Sequence, residues 1–123
     1  MTPEDPWEHG PVAGEVSRTL DAWSVYEVSK TGLEGPWTAH LTGFSREGCV
    51  GRVSTAIVRI DPAARRALTA SGQVYELAGR PGLNADAFAV WGAWKKRNGV
   101  RVERDVTERV DVEISDAGAS AGE

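Results

Sequence analysis

Residues 51–99 read GRVSTAIVRIDPAARRALTASGQVYELAGRPGLNADAFAVWGAWKKRNG, and this stretch decides the fold class. Its first run, 51–60, is dense in β-branched side chains and stops at Asp61-Pro62. There proline presets φ for a turn, and the aspartate can bond the backbone beyond it. A second run covers 66–69 and is cut by Ala70, Ser71 and Gly72. The third, 73–77, alternates, with Val74 and Glu76 facing one way and Gln73, Tyr75 and Leu77 the other. Connections this short favour antiparallel neighbours, because a parallel crossover needs about a dozen residues or more. The three runs predict a β-meander.

A helix follows the breaker cluster Gly79, Arg80, Pro81 and Gly82. Asn84 or Asp86 can cap it by accepting bonds from amides that have no partner inside the helix. Ala87, Val90, Trp91 and Trp94 recur at helical spacing and predict one apolar stripe, with Phe88 at its edge. Lys95, Lys96 and Arg97 fall in the last turn, at the negative end of the helix dipole. Asn98 and Gly99 then supply residues that tolerate left-handed φ at the exit.

Outward from this core, 20–28 and 37–44 are strand candidates, joined by a polar loop. Downstream, 106–114 alternates apolar and polar positions and predicts a strand with one wet face. The sum is an α+β, β-rich fold: a small twisted antiparallel sheet or half-open barrel of five or six strands, with one covering helix. The predicted organisation is a flexible N-terminal arm over 1–14, a single globular domain over 15–115, and a disordered acidic tail over 116–123. Neither end offers an apolar pattern to bury, so both are expected to be dispensable for folding.

The 123 residues suffice for a core without staples, and the single Cys49 excludes an internal disulfide framework. No apolar run approaches the roughly 18–20 residues that span a bilayer, and no charged-then-apolar leader opens the chain. A cytoplasmic protein with no membrane partner is the expectation.

The net charge of −4 is unevenly spread. Residues 1–45 carry two bases and seven acids, 46–104 eleven bases and five acids, and 105–123 one base and six acids. The middle is basic and the flanks acidic. Arg65, Arg66, Lys95, Lys96 and Arg97 are therefore candidates for an anion-binding or partner-binding surface, with aromatics nearby for stacking. The opposing expectation is that middle and flanks neutralise one another inside the fold. A basic module for nucleic acid normally shows a clear basic excess, which this chain lacks.

Catalytic groups are few. His9 and His40 have no histidine, cysteine or carboxylate at metal-ligand spacing, and Cys49 with His40 is the one pair of nucleophile and base. The glycine pairs around Cys49 and Pro81 carry no phosphate-binding lysine pattern. No catalytic residue, metal or cofactor is assigned. Of the five tryptophans, Trp91 and Trp94 read as core, while Trp7, Trp37 and Trp94 are the candidate aromatic anchors for a partner.

One resemblance bears on function. Residues 53–57, Asp61 with Pro62 and Arg65, 71–82, and the Val90, Trp91 and Trp94 spacing together resemble a group of short bacterial proteins that accompany phages, plasmids and other mobile elements. The likeness covers roughly 37–107 and consists of turns and aromatics, with no catalytic motif. It implies an accessory role, such as an inhibitor or adaptor. The expected function is thus a non-enzymatic interaction module that binds a host or self protein. The alternative is a weak nucleic-acid-binding regulator, and a cysteine-dependent hydrolase is a distant third.

Overall fold

The computed structural model describes residues 6–121. In chain order the elements are β1 (Glu8–His9), β2 (Arg18–Ser29), β3 (Thr38–Ser45), β4 (Val50–Val53), β5 (Ile57–Asp61), β6 (Arg66–Thr69), β7 (Val74–Leu77), α1 (Ala85–Arg97), β8 (Val102–Asp105) and α2 (Thr107–Ala121). The fold is α+β and strand-rich. All eight strands join one open, mixed sheet in the order β1-β5-β6-β7-β2-β3-β4, with β8 added to β2.

β2 organises this sheet because its twelve residues serve three neighbours. β3 runs antiparallel to it. Residues 18–20 pair with β7 in parallel, and residues 26–29 pair with β8 antiparallel. Between these two partners the strand bulges: the register against β3 shifts between Asp21 and Ser24, with Ala22 at φ 47°. Gly43 lies opposite, where a Cβ would stand 3.0 Å from the Asp21 carbonyl oxygen. The bulge thus needs glycine across from it.

The sheet curls strongly without closing. Arg52 on β4 donates from Nε to Tyr75 Oη (2.9 Å) and from Nη2 to Gln73 Oε1 (3.2 Å), although β3 and β2 separate β4 from β7 in sheet order. Inside the curl lie Leu20, Trp23, Leu41, Ile60, Tyr75 and Leu77. Val110 and Ile114 of α2 pack into the same core. α1 covers the opposite face, over β3 and β4. It sits so close that a Cβ on Gly51 would collide with the backbone of Asp86 and Ala87, so only glycine fits there.

Several expectations change. The run 51–60 is two strands, because Ser54 turns the chain out of β4: its amide bonds Leu41 O and its hydroxyl accepts from the Leu41 amide. With β1 and β8 added, the count rises from the expected five or six to eight. The sheet is not purely antiparallel, since β1 with β5 and β2 with β7 are parallel pairs. Among the described residues there are two helices, where one was expected. Residues 107–114, expected as strand, are the first half of α2, whose Thr107 amide bonds the Asp105 carboxylate (2.9 Å).

The ends also differ from expectation. Trp7 is only 5 % exposed and belongs to the core, and β1 pairs with β5, so 7–12 is built into the body. α2 carries the chain through 116–121, where a disordered tail was expected. Residues 1–5 and 122–123 of the two expected end segments lie outside the described residues. Among the described residues, no helix is long and apolar enough to cross a membrane.

Candidate functional site

The loop from β7 to α1 is pinned from below. Trp23 Nε1 donates to Gly79 O (3.2 Å), the Gly82 amide to Trp23 O (3.1 Å), and Ser24 Oγ to Gly82 O (3.0 Å). Asn84 then caps α1, its Oδ1 accepting from the Ala87 amide at 3.0 Å. A rigid loop and a fixed helix start leave two large apolar side chains outside. Leu83 is 81 % exposed and Phe88 67 %.

These two residues border a depression floored by Tyr26, Ala87 and Trp91. Its free space is about 10 Å³, room for one small group. Thr42 lines it and is 5 % exposed, and its hydroxyl has no hydrogen-bond partner among the described residues. The floor is stiff because it belongs to a stack. Tyr26 and Trp91 lie 4.9 Å apart at 19°, Trp91 and Trp94 5.2 Å apart at 10°, and the His40 ring meets Trp94 at 4.5 Å. Glu103 fixes the stack from β8, accepting from Trp91 Nε1 (3.1 Å) and Lys95 Nζ (2.5 Å).

A larger cleft of about 550 Å³ adjoins this depression and shares Ser24, Gly82 and Leu83 with it. Its charged lining is all acidic: Asp105 at the end of β8, then Glu108 and Asp111 on α2. The field reaches Tyr26, whose hydroxyl is pushed above the usual phenol range by burial first, then by Asp105 and Glu103. Among the described residues, no group of three or more His, Cys, Asp or Glu side chains is arranged to hold a metal.

The expected basic surface is divided. Arg65, at φ 59°, spends its guanidinium on Leu77 O (2.8 Å) and Gly79 O, and lines a depression with Asp111. Arg66 lies opposite Asp61 and Glu76 in the strand register. Lys95 pairs with Glu103, and Lys95 and Lys96 line a separate depression. Lys96 and Arg97 are exposed at the end of α1. Arg65 and the Lys95–Lys96 pair therefore line different depressions.

The three tryptophan anchors are also engaged. Trp7 is buried, with the Arg109 guanidinium 5.1 Å from its ring. Trp37 is covered by Arg104 at 3.6 Å and donates from Nε1 to Leu33 O (3.1 Å). Trp94 is half-buried in the stack. Arg104 and Arg109 converge on Glu27, which is 4 % exposed, at 3.0 and 3.4 Å.

Cys49 and His40 do not meet. Cys49 Sγ points to Arg46 O (3.5 Å) in the turn after β3, while His40 bonds Thr38 Oγ1 (2.8 Å) and Ser54 O (2.9 Å) within the fold. Burial holds the His40 imidazole below its usual range. His9 lies 3.1 Å from Glu113.

Sequence reasoning missed Leu83, Glu27 and the acidic cleft. Leu83 carried a signal: it is a large apolar residue between the breaker cluster 79–82 and the Asn84 cap, with no period to bury it. The acids of the cleft carried none, because their meeting depends on β8 and α2. No family model, curated protein or solved structure matches this chain.

Proposed function

We propose that this chain is a non-enzymatic protein-interaction module that docks its partner on the Leu83–Phe88 face. The observation that carries the reading is the exposure of two large apolar side chains on a rigid loop and helix start, beside a preformed depression. Protein interfaces centre on apolar and aromatic anchors of this kind, and a pinned backbone lowers the ordering cost of binding. The inhibitor or adaptor role implied by the resemblance to mobile-element proteins fits such a face. The candidate nucleophile and base, Cys49 and His40, each serve local structure instead.

The test is capture by cross-linking in lysate of the source cell, using wild type and the Leu83→Ser/Phe88→Ser double variant. Both side chains are solvent-facing, so the variant should keep the wild-type circular dichroism. A protein captured by wild type and lost from the variant is the expected result. Identical captured sets would remove the face from consideration.

A further inference from the structure

We infer that the partner seated on Leu83 and Phe88 is a protein segment that places arginine or lysine side chains in the adjoining acidic cleft. This rests on the docking face proposed above and adds the chemistry of its occupant.

The apolar depression and the cleft are neighbours, because Leu83, Gly82 and Ser24 line both. A chain laid across Leu83 therefore enters the cleft. There it meets Asp105, Glu108 and Asp111, with no base in the lining. The two arginines nearest in sequence are directed elsewhere. Arg104 stacks on Trp37 and pairs with Glu27, and Arg109 shares that same carboxylate. Asp111 also lines a depression with Arg65 and Arg80, and Asp105 and Glu108 line another with Arg109, so the three carboxylates meet without a base only in the cleft itself. At the apolar end, the buried Thr42 hydroxyl has no hydrogen-bond partner among the described residues. Lysine and arginine are donors without acceptors, so they match the carboxylates of the cleft. An acidic segment would meet like charge along the cleft. Complementary charge of this kind sets partner choice and speeds encounter.

The test uses fluorescence anisotropy with two short labelled peptides, one alternating leucine and arginine, the other alternating leucine and glutamate. Wild-type protein should bind the arginine peptide and not the glutamate peptide. The Glu108→Gln/Asp111→Asn variant should weaken binding by about tenfold. The control Glu15→Gln/Glu34→Gln, which removes the same charge from exposed loops, should leave it at the wild-type level. No binding of the arginine peptide, equal loss in both variants, or no loss in the cleft variant would overturn the inference. Self-association that sediments as a dimer and is abolished by Leu83→Ser/Phe88→Ser would also overturn it, assigning the face to a second copy. Arginine-peptide binding that survives Leu83→Ser/Phe88→Ser but not Glu108→Gln/Asp111→Asn keeps the cationic occupant and removes the apolar docking face. The reverse pattern keeps the face and removes the cationic occupant.

Discussion

Glu27 is the residue on which the most distant parts of the chain converge. Its carboxylate is buried on β2, yet it accepts from Arg104 on β8 and Arg109 on α2. Each arginine in turn lies over a tryptophan, Trp37 or Trp7. Glu27→Ala would remove the carboxylate that two half-exposed guanidinium groups share, and its chemical-denaturation midpoint should report a loss of about 2 kcal/mol. Arg104→Ala should cost less, since Arg109 still neutralises the carboxylate; an equal cost would mean the pairs act as one unit. His40 gives a pH dependence. The fold keeps its imidazole neutral, mainly by burial and also through the charge of Lys30, while the unfolded chain takes up a proton near 6.5. The unfolded state therefore binds more protons below that pH, and the associated stability is present above 6.5 and drains as pH falls towards the folded value. His40→Gln should flatten this slope in denaturation midpoints measured across the window, whatever it does to the absolute midpoint. A slope unchanged from wild type would deny His40 any part in it. Of these residues, sequence disclosed only their types: Glu27 reads as an ordinary polar strand position until β8 and α2 bring two arginines to it.

Elements defined by their own residues were legible, and those defined by their neighbours were not. The meander after Asp61 and the helix 85–97 carry local turn, cap and breaker signals, and the structure keeps both, with Asn84 as the cap. Residues 106–114 failed for a definite reason. Val106, Val110 and Ile114 are spaced by four, which suits a strand of period two and a helix of period 3.6 equally well. The odd member is Val112, buried in the strand reading but half-exposed on α2. The parallel pairs were invisible because β1 and β7 meet their partners only through long-range closure. Trp91 packs under α1 as the stripe implied, so Trp91→Ala should cost about 3–5 kcal/mol in chemical denaturation. A midpoint at the wild-type value would separate α1 from the folding unit. Trp7→Ala should cost a similar 3–5 kcal/mol, and deletion of residues 1–11 should lower the thermal midpoint. A truncated protein as stable as the full chain would show that β1 and Trp7 are ornaments on the body.

At the scale of the whole molecule, the uneven charge along the sequence becomes an arrangement in space. Much of the basic middle is matched locally: Arg46 pairs with Asp21 at 2.7 Å, Arg59 with Glu8 at 3.0 Å, and Lys95 with Glu103. The cleft beside Leu83 is lined by three acids and no base, while Lys96 and Arg97 are exposed at the far end of α1. The weak nucleic-acid reading would need that basic end to act alone, without Arg65 and Arg66. We expect no retention of mixed-sequence single- or double-stranded DNA or RNA even at about 50 mM salt, where counterion release favours binding. Retention that Lys96→Glu/Arg97→Glu abolishes would reinstate that reading. The segregation itself could be read from the chain, but its sign at each surface could not, because the acids of α2 and β8 reach the groove only through the fold.

The aromatic stack beneath α1 makes the protein its own spectroscopic reporter. Indoles 5.2 Å apart couple their electronic transitions, so Trp91 and Trp94 should give a near-ultraviolet dichroic signature that vanishes when α1 lifts from the sheet. The imidazole 4.5 Å from Trp94 quenches an excited indole far more strongly when protonated, so Trp94 emission becomes an optical titration of His40. Trp91 also floors the depression under Leu83 and Phe88. An unlabelled peptide entering there changes the light the protein emits, and occupancy of the groove can be followed without a dye.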